Sequence, residues 1–290
     1  MARKNIFQLV NESYNIQDEI RKINKLFKTQ KYFVEQIFDY TLPQLLEKYL
    51  FDEWKYRGTC ISIDEYFKRT NACISPSSVA SEEQIINNIE VMENFLKLFF
   101  DNGNNLYARH HVKYYPELVS VFCMLIDSAE KKMGLCKREY KDRVILYPKK
   151  APLEKAIDLC DDEDVQWELI RYVREELSLA EKRKSLAYLA TNLGIEEDDK
   201  ENDEHIKALV KKAGNVLNNL HIRHNNKTGK WENQALKELD EADAIALCDM
   251  VYNEMLTIIL LREHKEYDKA YLEFNKRQKE AKAKKKEERK

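Results

Sequence analysis

The stretch SEEQIINNIEVMENFLKLF, residues 81–99, sets the fold class. Ile85, Ile86, Ile89, Met92, Phe95, Leu96 and Phe99 recur at steps of three and four. That period places them on one face of an α-helix and excludes the alternation of a strand. Ser81, Glu82 and Glu83 put a capping hydroxyl and two acids at the positive end of the helix dipole. Asp101-Asn102-Gly103-Asn104-Asn105 follows, and it predicts a helix end with Asn or Gly in the left-handed cap.

The same period extends outward on both sides. Ile20, Ile23, Leu26 and Phe27 form an apolar stripe. Phe33, Ile37, Tyr40, Leu45, Leu46, Tyr49 and Leu50 continue the helical reading past a break near Pro43. Leu118 to Met133 reads as a helix buried on most sides and stopped by Gly134. Further helices are expected from about residues 152–159, 164–179, 180–193 and 203–220, and from 236 onward. The best strand candidate is Arg143-Val144-Ile145-Leu146-Tyr147, and Cys60-Ile61-Ser62-Ile63 is its expected partner. With only 6 Gly and 5 Pro in 290 residues, turn punctuation is too sparse for a sandwich or barrel. The fold expected is all-α, a multi-helix bundle with at most a small two-stranded β element.

Composition narrows the function classes. The net charge of −2 gives no global attraction to nucleic acid or membrane, so such binding must come from local patches. The six cysteines form no CxxC pair and read as reduced thiols of a cytoplasmic protein. Met1 to Asn5 lead into an amphipathic segment without a signal-peptide apolar region. The best candidate for a membrane span, Met255 to Leu261, is seven residues long and falls short of one. Phosphate loops, HExxH, zinc spacing and GxSxG are absent from the sequence, so no cofactor and no metal are expected. The acidic run Asp161-Asp162-Glu163-Asp164 is contiguous, and its carboxylates suit a helix start better than a metal.

Two basic, histidine-bearing clusters remain. The first is Tyr107-Ala108-Arg109-His110-His111-Val112-Lys113-Tyr114-Tyr115. Arg109, His110, His111, Lys113 and Tyr114 combine phosphate-contacting cations with rings on which bases stack, which makes them candidate nucleic-acid contacts. The alternative is an ordinary protein surface with half-buried tyrosines. The second cluster is LNNLHIRHNNKTGK, residues 217–230. His221, Arg223, His224 and Asn225 fall near the end of a helix, with Lys227 and Lys230 in the polar turn beyond. Histidines suit general acid–base transfer, and an arginine suits a negative phosphoryl transition state, so the cluster fits metal-independent RNA cleavage. A helix C-terminus also favours cations and capping asparagines for structural reasons alone.

Residues 217–226, with Ala244-Ile245-Ala246-Leu247-Cys248-Asp249-Met250-Val251-Tyr252 on the next helix, resemble the C-terminal region of bacterial abortive-infection proteins and the wider HEPN helical superfamily. The resemblance covers roughly residues 148–261. Active HEPN ribonucleases follow their arginine with a histidine after four to six residues. Here Thr228, Gly229 and Lys230 hold those positions after Arg223. The resemblance implies a role in phage defence or toxin–antitoxin biology, RNA or a partner protein of a defence system as ligand, and a homodimer formed through the helices. The catalytically silent alternative is a helical protein-interaction module. The domains expected are 1–147, helical and without an assigned role; 148–274, HEPN-like; and 275–290, a charged tail. From Lys276 to Lys290 that tail has nine basic and three acidic residues.

Overall fold

A computed structural model describes residues 15–75, 78–195, 203–219 and 240–287, with side chains of the last stretch described to Arg277. The chain is mostly helical, with two small antiparallel sheets, and divides into compact units spanning Met1–Pro148 and Lys149–Lys290.

The first unit is built on helix α1 (Ile16–Thr29), α2 (Leu42–Tyr49), α3 (Ile63–Arg69), α4 (Glu82–His110) and α5 (Pro116–Met133). Ser81 caps α4 through a reciprocal box with Gln84, which satisfies backbone donors at both positions. Phe27 of α1 meets Phe67, Phe95 and Phe122 at centroid distances of 5.5, 6.1 and 6.2 Å. Phe27, Phe95 and Phe122 are fully buried, so this aromatic cluster joins α1, α4 and α5.

Residues 33–40 depart from the helical reading. Strands β1 (Phe33–Glu35) and β2 (Phe38–Tyr40) form a hairpin, and β3 (Lys113–Tyr114) pairs with the other edge of β1. Tyr32 and Phe33 are both buried, and Gln36 takes a left-handed turn conformation with φ 55°. Thr41 then starts α2 with its own capping box. A second hairpin joins β4 (Leu135–Tyr140) to β5 (Arg143–Pro148). The partner of Arg143 to Tyr147 is therefore the preceding segment and not Cys60 to Ile63. Lys141 and Asp142 both have positive φ, which a primed two-residue hairpin turn requires. In the 60–63 segment, Ser62 instead caps α3.

Two further expectations are corrected. Helix α4 does not stop at residues 101–105; it continues to His110, and His111 supplies the left-handed cap at φ 55°. Buried Leu106 anchors the extra turns, and Asn102 bonds back to the Leu98 carbonyl. Helix α5 is buried on one side only: Val119, Phe122 and Ile126 face the core, while Val121 and Met124 are exposed. The outer edge of β5 is covered by α4 side chains. Asn94 Nδ2 donates to Val144 O at 2.8 Å, Asn94 Oδ1 accepts from Val144 N at 2.9 Å, and Glu90 Oε2 accepts from Leu146 N at 2.7 Å.

The second unit contains α6 (Ala151–Asp158), α7 (Glu163–Arg174), α8 (Leu179–Asn192), α9 (Glu204–Asn219) and α10 (Glu241–Glu287). Asp162 caps α7, its Oδ1 accepting from Asp164 N and Val165 N, as the acidic run suggested. Helix α10 packs on α6, α8 and α9 through Cys248, Val251, Met255 and Ile258, all buried. Tyr172 and Tyr252 stack within this core, and Tyr252 donates to Leu169 O at 2.7 Å. An 18-residue window in α10 has mean hydropathy 1.7, enough by length and composition to cross a membrane. Counting only unbroken apolar runs missed it. The core helix of a soluble protein meets the same measure, and 44% of that window is buried within the unit. The backbone of the charged tail continues α10 as far as Glu287.

Candidate functional site

His221, Arg223, His224, Asn225, Lys227 and Lys230 lie outside the described residues. Helix α9 leads toward them, with Ile206, Val210, Ala213 and Leu217 buried as its apolar face predicts.

The first cluster is fully described. Tyr107, Arg109 and His110 occupy the last turns of α4, His111 is its cap, and Lys113 and Tyr114 form edge strand β3. All six are exposed, while Leu106 and Val112 between them are buried and pin the segment. A groove of about 450 Å³ opens here, lined among others by Phe100, Tyr107, Lys113 and Tyr114. Tyr107 is 56% exposed and Tyr114 47%, so both rings are available to a flat ligand. No acidic residue occurs between Tyr107 and Tyr115. The His110 ring lies against Tyr49, centroids 4.4 Å apart. Tyr49 in turn donates to Glu35 Oε2 at 2.6 Å, and Lys48 donates to the same oxygen at 2.6 Å. Lys48 first, then Tyr49, holds the Glu35 carboxyl below its ordinary pKa. The segment is thus a row of cations and tyrosines on a backbone fixed by a helix cap and a strand.

Sequence reasoning missed a second constellation. Glu93 of α4 and Asp127 and Glu130 of α5 offer carboxylate oxygens all within 4.8 Å of one another. Lys137 of β4 reaches them with Nζ at 3.3 Å from Glu93, 2.9 Å from Asp127 and 3.6 Å from Glu130 Oε2. Burial first, and then the Glu93 charge, raises the Glu130 pKa well above the carboxylate range. Burial pulls the Lys137 ammonium down, but its three acidic neighbours outweigh that and hold it above its usual value. Burial, then Glu93 and Asp127, pushes the Cys123 thiol up, which disfavours its thiolate form. The only linear signal was the three-residue spacing of Asp127 and Glu130 on one helix face. Glu93 and Lys137 join them solely through tertiary packing.

In the second unit, a cavity of about 710 Å³ is bordered by Tyr172, Lys182 and Asp249. These three polar groups bond to one another: Tyr172 donates to Asp249 at 3.0 Å, and Lys182 pairs with the same carboxylate.

Neither family models, curated proteins nor solved structures match this chain. The resemblance to abortive-infection and HEPN proteins therefore stands on the quoted residues alone.

Proposed function

We propose that this chain is a helical RNA-binding protein of the phage-defence class implied by its C-terminal resemblance, cytoplasmic, and that its first unit holds the RNA. One observation supports the binding reading most: exposed Tyr107, Lys113 and Tyr114 border one groove, and Arg109 is exposed in the same segment. Tyrosine rings take bases by stacking, and the cations take phosphates. Short edge strand β3 offers too little pairing length to serve as a peptide-docking strand, which favours the side-chain mode.

The test is fluorescence anisotropy with a labelled single-stranded oligoribonucleotide of about a dozen nucleotides. Wild type binds it, and the charge reversals Arg109→Glu and Lys113→Glu each weaken binding. Equal binding by all three proteins would refute the reading. Cleavage is read separately, from product formation by wild type and by His221→Ala, Arg223→Ala and His224→Ala. Loss of product in these variants supports a metal-independent endoribonuclease, and unchanged product removes the catalytic assignment.

A second reading, the protein-interaction module, is favoured by α10. Tyr267, Tyr271, Leu272 and Phe274 are all exposed. The four-then-three spacing of Tyr267, Tyr271 and Phe274 is that of a coiled-coil seam. The partner on this reading is an antiparallel second copy. Residues 263–273 carry four acids and two bases, and the sequence beyond is strongly basic, so opposite ends attract. A Tyr271→Glu variant that turns a dimer into a monomer in sedimentation supports it; a wild-type monomer refutes it.

A further inference from the structure

We propose that Glu93, Asp127 and Glu130 form a binding site for a hard divalent cation, with the Lys137 ammonium holding the cation's place when none is bound. The oxygens come from two helices of one unit and converge to within 4.8 Å. Oxygens on opposite sides of a bound Ca²⁺ are separated by about 5 Å, and on opposite sides of Mg²⁺ by about 4 Å. Three carboxylates thus already stand at the spacing such an ion requires. Purely oxygen donors select this class over zinc or copper.

A second observation points to a ligand independently of the clustering. Glu130 is only 7% exposed, and its Oε1 is buried without a hydrogen-bond partner. Burying an unpaired carboxylate oxygen is costly, and a metal ion would satisfy it. Lys137 does not do so: its nearest approach to Glu130 is 3.6 Å, to the other oxygen. Access is provided by a cavity of about 420 Å³ lined by Glu93, Asp127 and Lys137, with room for the waters that complete a coordination shell. Side-chain exposure of 59% at Asp127 gives an ion its first ligand at the surface. Lys137, with 44% of its side chain exposed, can swing outward as the ion enters.

The experiment titrates the full chain with MnCl₂, reading free Mn²⁺ by electron paramagnetic resonance, and repeats with CaCl₂ by calorimetry. One ion per chain is expected. Asp127→Asn and Glu93→Gln should each weaken it by at least about tenfold, and Lys137→Met should tighten it by removing the competing charge. Helical circular dichroism confirms that each variant is folded. Asp127 is exposed, so its variant keeps the test decisive if Glu93→Gln does not fold. Wild type and Lys137→Met both failing to bind either ion at millimolar concentration would overturn the proposal. Binding that persists unchanged in Asp127→Asn would overturn it equally.

Discussion

Tyr114 stands edge-on to Phe99, with centroids 5.7 Å apart and planes 80° from parallel. Phe99 is buried and also meets Phe33 at 4.6 Å, so a half-exposed ring is braced by a core ring. A braced tyrosine loses little rotamer freedom when a base stacks on it. Tyr114→Ala should therefore change stability little while costing about 1–3 kcal/mol of RNA binding. Phe99→Ala removes a buried aromatic and should cost about 3–5 kcal/mol of stability. Paired thermal melts and anisotropy titrations separate the two effects.

Salt dependence counts phosphate contacts. Each cation that neutralises a phosphate of a single strand adds about 0.7 to the slope of log K against log salt. Arg109→Ala and Lys113→Ala should each flatten the slope by roughly that amount. Anisotropy across a series of potassium chloride concentrations measures it, and slopes unchanged from wild type would deny both residues a phosphate contact.

Acid should loosen the support beneath His110. The Glu35 carboxyl has its pKa lowered from 4.5 by Lys48 and Tyr49. A carboxyl with a folded value below its unfolded one adds stability above that range, and the contribution disappears as pH falls through the folded value. Wild type should lose more melting temperature than Glu35→Gln between pH 7 and acid conditions. Equal losses would show that Glu35 is not the linked group. Because Glu35 holds Tyr49 and Tyr49 faces His110, the chemical shifts of His110 should move in the same window.

Asn94 satisfies both backbone groups of Val144 on an edge that, among the described residues, no strand covers. Asn94→Leu removes both partners while keeping similar volume. Two backbone groups left unpaired should cost about 2 kcal/mol or more in urea denaturation. Asn94→Asp retains the acceptor for Val144 N and should cost less.

The helices were legible because their signals are local: Ser81 with Gln84 marks a start, and Ile85 to Phe99 mark a face. Residues 33–40 were misread because Phe33, Ile37 and Tyr40 happen to fit a helical step, while their hairpin is stabilised by β3, more than seventy residues away. Asn102 and Gly103 looked like a terminator, but burial of Leu106 outweighs a propensity cost of about 1 kcal/mol. The exposed row from Tyr107 to Tyr114 was readable as a candidate site because its chemistry is contiguous. The Glu93, Asp127, Glu130 and Lys137 group was not, since its members lie on three elements and meet only when α4, α5 and β4 pack.

The central claim is that Tyr107 and Tyr114 stack bases beside Arg109 and Lys113. The most direct measurement is the affinity of the Tyr107→Ala, Tyr114→Ala double variant for a single-stranded oligoribonucleotide, compared with wild type at fixed salt. Stacking on both rings predicts a loss of tenfold or more, about 1.4 kcal/mol at least, with the melting temperature nearly unchanged. Equal affinity in the two proteins, or no binding by wild type, would contradict it.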